Sequence, residues 1–122
     1  MTFWKDKKVA VTGAGGFIGS HVIDELLKDG ARPIAIVRDK QKIKFLEHVK
    51  NKIEIREANL HDMDATREAV KGADIVINCA AKVGGIEYNI KHPGSIFSDN
   101  MKTFMNVIET CRLEGTERLT VS

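Results

Sequence analysis

Short apolar segments of strand character alternate with segments of helical period along the whole chain. The segments of strand character are 8–12, 34–37, 53–55, 75–77 and 118–121. Between them, apolar residues recur every three or four positions, as they do along one face of a helix. Strands that alternate with helices through short connections predict a parallel sheet covered on both faces. Because crossover connections are right-handed, we expect a doubly wound α/β fold with strand order 3-2-1-4-5.

Several residues are typical of helix boundaries. They are Gly30 after the first helix, Asp62 and Gly72 on either side of a later one, and Pro93 and Gly115 around the longest. Glycine favours the conformation just past a helix, aspartate accepts hydrogen bonds from the first helical N–H groups, and proline suits the first turn. Ile43, Leu46 and Val49 predict a further short helix, and the third strand is expected near an edge of the sheet.

Length and composition predict one globular domain. The chain has 122 residues, within the common domain size of about 100–150 residues. Its 19 basic and 17 acidic residues give a net charge of +2, without the basic stripe of a nucleic-acid-binding protein. No run approaches the roughly 20 apolar residues that cross a bilayer, and no secretory signal is evident, so we expect a cytoplasmic protein. Cys79 and Cys111 lie in apolar segments and are expected to be small buried side chains, not disulfide or metal ligands.

The connection after the first strand is rich in glycine. Gly13, Gly16 and Gly19 occur at every third position between a strand and a helix. Gly13 would allow a tight turn, Gly16 would let a diphosphate approach the backbone, and Gly19 would let the helix pack closely on the sheet. This connection and the one after Cys79 flank the point where the winding of the sheet reverses, which is where such sheets bind ligands. Any tight turn can use glycine, but in this context the pattern favours dinucleotide binding at the helix N-terminus.

The same connection resembles the fingerprint of a known family. Extended short-chain dehydrogenases/reductases carry a similar motif, here Thr12-Gly13-Ala14-Gly15-Gly16-Phe17-Ile18-Gly19. Residues 80–86 are similar to the corresponding loop of the GDP-sugar epimerase/reductases in that family, and four later residues fit their spacing: Asn89, Pro93, Phe97 and Asn100. The resemblance implies a Rossmann-like fold, a nicotinamide dinucleotide cofactor, and hydride transfer at C4 of a nucleotide-bound sugar.

The end of the second strand bears on the choice between NAD and NADP. An acid there binds the 2′-hydroxyl of the adenosine ribose, whereas an arginine accommodates a 2′-phosphate. The chain reads Val37-Arg38-Asp39-Lys40. The guanidinium of Arg38, with the added charge of Lys40, favours NADP. In the alternative interpretation, Arg38 is only solvated and Asp39 faces the ribose.

The resemblance implies roles for further residues. Beside the glycines and Arg38, the implied cofactor contacts are Phe17, Ile18, Asn59, Leu60, Ala80, Ala81 and Lys82. Asn59 stands where the family usually has an acid, and with Leu60 it would contact the adenine. The implied substrate loop is Val83, Gly84 and Gly85, unless this segment is only a mobile loop. Asn100 would support the active site, or else be a surface polar residue.

The catalytic residues of the family are not found in this sequence. The family depends on a Ser or Thr after the fifth strand and on a Tyr-x-x-x-Lys pair, whereas Tyr88 is the only tyrosine here and Lys91 follows it by three positions. We therefore expect residues 1–122 to be the N-terminal portion of an NAD(P)-binding domain, inactive by itself. The alternatives to an epimerase/reductase are another dehydratase or ketone reductase of the family, or a non-catalytic dinucleotide-binding module. An open fifth strand would favour a homodimer or other self-association.

Overall fold

Five parallel strands form a single sheet. The computed structural model describes residues 3–80, 93–116 and 118–121. The strands are β1 (Lys8–Thr12), β2 (Arg32–Val37), β3 (Glu54–Glu57), β4 (Ile75–Asn78) and β5 (Arg118–Val121). Their order is β3-β2-β1-β4-β5, which confirms the expected doubly wound topology and places β3 at an edge.

In the described part of the chain, three α-helices and one short 3₁₀ helix connect the strands. They are α1 (Phe17–Lys28), the 3₁₀ helix (Lys44–Leu46), α2 (Met63–Val70) and α3 (Pro93–Glu114). The short helix expected from Ile43, Leu46 and Val49 is confirmed, and it is a 3₁₀ helix, because hydrogen bonds here run from Leu46 to Ile43 and from Val49 to Leu46, three residues apart. All three side chains are buried. Within the described residues, no helix has the length and apolar character needed to cross a membrane.

Strand residues alternate between two apolar layers, one on each face of the sheet. The layer that packs α1 onto the sheet includes Val9, Val11, Ile23, Leu26, Leu46 and Ile75. The layer under α2 and α3 includes Ala10, Ile34, Ile36, Val70, Val76 and Val107. Because both faces are covered, the central strands are apolar at nearly every position, as the sequence showed.

The order of the strands creates the point where ligands bind in such folds. β1 lies between β2 and β4, and Thr12, its last residue, is opposite Ile36 on one side and Asn78 on the other. The chain leaves β1 towards β2 and later returns to β4 on the opposite side, so the connections after β1 and β4 diverge. A crevice opens between them at the carboxyl edge of the sheet.

Local hydrogen bonds end α1 and start α2 at the residues expected from the sequence. Past α1, Gly30 has a φ of 81° and donates to the Leu27 carbonyl, while Ala31 donates to Leu26 at 3.0 Å. This pair of bonds is a Schellman motif, in which glycine tolerates the positive φ. At α2, a side-chain oxygen of Asp62 accepts a hydrogen bond from Ala65 N–H at 3.1 Å.

We predict that Asp62→Ala lowers the free energy of unfolding by about 1 kcal/mol, because the cap of α2 is lost. Asp62→Asn keeps an acceptor oxygen and is the matched control, with a loss well below that of the alanine variant. Urea denaturation followed by circular dichroism measures both. Equal losses in the two variants would show that the hydrogen bond to Ala65 contributes nothing.

Candidate functional site

Helix α1 begins without a cap. Gly16 precedes it in an extended conformation, no side chain among the described residues caps its first turn, and that turn contains no acidic residue. The first hydrogen bond of the helix runs from Ser20 N–H to the Gly16 carbonyl at 2.9 Å. The N–H groups of Phe17, Ile18 and Gly19 therefore have no acceptor within the helix. Together with the helix dipole, they form a site suited to an anion.

Two of the three glycines are required because a side chain at either position would overlap backbone atoms of the protein itself. Gly13 has a φ of 65°, and a Cβ built on it would lie 2.8 Å from Cα of Ala80. A Cβ on Gly19 would lie 2.2 Å from the Gly13 carbonyl oxygen, so this glycine packs against the turn itself and not against the sheet as expected. At Gly16, in contrast, a Cβ would meet only the Gly13 oxygen at 3.5 Å, an ordinary contact. The space beside Gly16 is thus not filled by the described part of the chain.

A buried threonine joins the connections after β1 and β4. The hydroxyl group of Thr12 donates a hydrogen bond to Oδ1 of Asn78, and its oxygen accepts hydrogen bonds from Cys79 N–H at 3.1 Å and Ala80 N–H at 3.2 Å. The side chains of Thr12 and Asn78 are buried. The residue pair fixes the start of the second connection against the glycine turn.

The carboxyl ends of β1 to β4 border a cleft of about 1070 Å³. The sequence-predicted residues that line it are Gly13, Gly16, Arg38, Asn59, Leu60 and Ala80, together with Asp39 of the alternative interpretation. Residues that line it without having been predicted as contacts include Gly15, Gln41, Lys42, Glu57, Cys79 and Thr103. Four separate connections and α3 therefore contribute to one site.

Other predicted residues lie beside the cleft or outside the described part of the chain. Phe17 and Ile18 are 63% and 62% exposed and do not line the cleft, so their part in the candidate anion site is limited to their backbone N–H groups. Lys40 does not line the cleft, whereas Lys42 does. Ala81, Lys82, Val83, Gly84 and Gly85 lie outside the described residues, and for Asn100 the description extends only to its backbone on α3.

The connection after β2 holds its acid in an internal hydrogen bond. Oδ1 of Asp39 accepts a hydrogen bond from Gln41 N–H at 2.8 Å, and the Lys40 N–H donates to Glu57 at 2.9 Å. Arg38 is exposed at the cleft and has no hydrogen-bond partner among the described residues. The guanidinium is thus available to an anionic ligand, while one oxygen of Asp39 is engaged by its own turn.

Cys79 differs from the expected buried cysteine. It is only partly buried and lines the cleft, whereas Cys111 is buried between α3 and the sheet. Partial burial raises the pKa of the Cys79 thiol above its usual value. The sequence placed Cys79 in an apolar segment, but periodicity does not show that the residue just after a strand faces the ligand edge.

Thr12, Asn78 and Thr103 are functional candidates that the sequence did not single out as contacts. A signal for the first two was present, since polar residues that end adjacent buried strands are expected to pair. Thr103 is 8% exposed and reaches the cleft from α3. Its place depends on how α3 crosses the sheet, which periodicity does not determine.

The sheet order, the glycine turn and the cleft at the reversal point define a Rossmann-like domain. The family model described as "NAD dependent epimerase/dehydratase family" matches residues 9–122, and the chain belongs to this family.

The relatives that match this chain are named as several different enzymes. The sterol-4-alpha-carboxylate 3-dehydrogenase (decarboxylating) of Dictyostelium discoideum is 32% identical over 94% of this chain and 34% of its own length. GDP-mannose 3,5-epimerase 1 of Oryza sativa subsp. japonica is 32% identical over 95% of this chain and 31% of its own. UDP-glucose 4-epimerase of Thermus thermophilus, solved in complex with NAD, superposes with a TM-score of 0.77 and 27% identity, covering 92% of this chain and 36% of that one. The chain thus spans about a third of the length of these relatives.

We predict that alanine destabilises the protein at one of two nearby glycines and has little effect at the other. Gly19→Ala should lower the free energy of unfolding by about 2–3 kcal/mol, because its Cβ overlaps the Gly13 carbonyl. Gly16→Ala, the matched control, should change it by less than about 1 kcal/mol, because its Cβ has room. Urea denaturation of the two variants measures the difference, and a Gly19→Ala protein as stable as the parent would contradict the described turn.

Proposed function

We propose that this chain is the cofactor-binding part of an NAD(P)-dependent nucleotide-sugar epimerase, dehydratase or reductase, and that the dinucleotide's diphosphate binds at the start of α1. The observation that carries the proposal is the contrast between two helices of the same chain. Helix α2 is capped by Asp62 and has Asp64 in its first turn, whereas α1 has neither a cap nor an acid. An anion is the group that satisfies such N–H donors.

The cleft supports an assignment of the other parts of the dinucleotide. With the diphosphate at the glycine turn, the adenosine half extends over β2 and β3, towards Arg38, Asn59 and Leu60. The nicotinamide half extends towards Ala80, and the resemblance implies that Ala81 and Lys82 also contact the cofactor. When bound, the nicotinamide supplies a reversible hydride acceptor, and the protein supplies its binding and orientation.

Three features support NADP over NAD. Arg38 is exposed at the cleft, Lys42 also lines it, and one oxygen of Asp39 already accepts the Gln41 N–H. A guanidinium binds phosphate oxygens through a planar pair of donors. The Thermus relative was solved with NAD bound, which supports NAD as the competing cofactor. The affinities for the two cofactors are therefore to be compared directly.

For the complete protein we propose a nucleotide-sugar substrate and hydride transfer at C4 of the sugar. The GDP-mannose 3,5-epimerase relative supports this class. The loop that resembles GDP-sugar epimerase/reductases favours an activity like that of GDP-L-fucose synthase, with Val83, Gly84 and Gly85 beside the sugar. The sterol dehydrogenase relative favours a second candidate, an alcohol dehydrogenase that acts on a substrate without a nucleotide.

We further propose that the 122 residues alone bind the cofactor without turnover, and that β5, at the edge of the sheet, favours self-association.

We predict that Gly16→Val abolishes dinucleotide binding in a protein that remains folded. The branched side chain fills the space beside the unpaired N–H groups, where a Cβ alone would contact only the Gly13 oxygen at 3.5 Å. Titration calorimetry with NADP and NAD measures binding, and circular dichroism checks the fold. The control is Lys28→Val, which places the same branched side chain at an exposed position at the other end of α1, away from the cleft. A folded Gly16→Val protein with unchanged affinity would overturn the proposed function.

We predict that Arg38→Ala weakens NADP binding about tenfold or more and leaves NAD binding nearly unchanged, because a hydrogen-bonded charge pair with phosphate is lost. Lys40→Ala is the control, since Lys40 does not line the cleft. Titration calorimetry with both cofactors gives the ratio. Equal binding of NAD and NADP by the parent, insensitive to Arg38→Ala, would contradict the assignment of the 2′-phosphate.

A further inference from the structure

The turn after β2 is held from the neighbouring strand by a carboxylate. Val37 and Glu57, the last residues of β2 and β3, lie opposite each other in the sheet. Beyond this pair, the backbone N–H of Lys40 donates a hydrogen bond to Oε2 of Glu57 at 2.9 Å. The carboxylate therefore lies against the same short turn that carries Arg38, and it links that turn to β3.

A second carboxylate belongs to the turn itself. Oδ1 of Asp39 accepts a hydrogen bond from Gln41 N–H at 2.8 Å, and the Asp39 carbonyl accepts one from Lys42 N–H at 3.0 Å. Successive N–H groups of a turn can bind a phosphate when they are free. Here the N–H groups of Lys40 and Gln41 are already bound to acids of the protein, so a phosphate at this turn must be bound by side chains.

The side chains at this end of the cleft carry balanced charges. The basic residues are Arg38 and Lys42, and the acidic residues are Asp39 and Glu57. Glu57 is exposed, and within the described residues no basic side chain forms an ion pair with it. An anionic group that binds here therefore meets negative charge from the protein as well as the two cations.

The position of Glu57 indicates which part of a ligand its charge affects. This step rests on the proposed function, in which the diphosphate lies at the glycine turn and the adenosine ribose lies beside Arg38. A 2′-phosphate on that ribose carries about two negative charges at neutral pH, whereas the 2′-hydroxyl of NAD is neutral. The carboxylate beside the turn thus repels one cofactor at this position and not the other.

We propose that Glu57 is a specificity-determining residue that sets the ratio of NADP affinity to NAD affinity. Its hydrogen bond to Lys40 N–H holds the turn that presents Arg38, and its charge reduces the advantage that Arg38 gives to a 2′-phosphate. The cleft therefore prefers NADP only moderately and still admits NAD. The two effects have opposite signs for NADP, and two substitutions at the same position separate them.

Glu57→Gln removes the charge and keeps an oxygen that can accept the Lys40 N–H. We expect it to raise the affinity for NADP about three- to tenfold and to change the affinity for NAD less than about twofold, because only NADP places a charged group here. Titration calorimetry of the 122-residue chain with each cofactor gives the ratio, and circular dichroism checks the fold. The increase should shrink at high salt, where the repulsion is screened.

Glu57→Ala removes the charge and also the acceptor. The turn that carries Arg38 is then no longer held from β3, so we expect a ratio of NADP to NAD affinity below that of Glu57→Gln. Equal ratios in the two variants would show that the hydrogen bond to Lys40 does not position Arg38.

Glu54→Gln is the matched control, since it removes the same charge from the same strand. Glu54 is paired with Arg56 and does not line the cleft. It lies three positions before Glu57, about 10 Å along the strand, so the substitution should leave the ratio unchanged.

The proposal is overturned if Glu57→Gln has the same ratio as the parent or a lower one. It is also overturned if Glu54→Gln raises the ratio equally, or if the increase does not depend on salt, since the effect would then not come from the charge beside the turn. If the folded parent binds neither cofactor, it is the proposed dinucleotide function that fails, and this inference fails with it.

Discussion

The contact between the connections after β1 and β4 is the constraint on which the site depends. These segments are 66 residues apart where the Thr12 hydroxyl meets Asn78, and they approach so closely that a Cβ on Gly13 would overlap Ala80. This contact needs both the hydrogen bonds of the Thr12 hydroxyl and the absence of a side chain on Gly13. A side chain on Gly13 would push the two connections apart, and loss of the hydroxyl would remove the hydrogen bonds between them. The cleft exists because the chain passes from one side of β1 to the other at this point.

The residues that form the cleft have different physical roles. Gly13 and Gly19 serve the fold, since their absent side chains let backbone segments touch. Gly16 and the uncapped start of α1 do not serve the packing of the described chain, and so they leave N–H groups and space for a ligand. The polar residues at the ends of β2 and β3 then extend the site in one direction, over the part of the sheet that carries Arg38 and Asn59. The contacts that an added Cβ would make thus distinguish the two glycines needed for the fold from the one that leaves room for a ligand.

The sequence predicted the strands, their order and most helix boundaries because these follow from local patterns. Continuous apolar runs marked buried parallel strands, and Gly30 and Asp62 ended and started helices through hydrogen bonds within a few residues. The short helix at Lys44–Leu46 was predicted too, but its 3₁₀ type was not, since three apolar residues at equal spacing are compatible with either helix type. Lys42 was missed in favour of Lys40 because the hydrogen bond from Gln41 to Asp39 redirects the chain. A hydrogen bond from the Asn106 side chain to the Leu60 carbonyl joins segments 46 residues apart, which no local pattern encodes.

The half-buried thiol of Cys79 has a consequence for a cleft assigned to a redox cofactor. Nucleophilic attack and oxidation both proceed through the thiolate, and partial burial raises the pKa of this group, so less thiolate is present at neutral pH. The sulfur atom that lines the cleft is therefore less reactive towards electrophiles and oxidants than the thiol of an exposed cysteine.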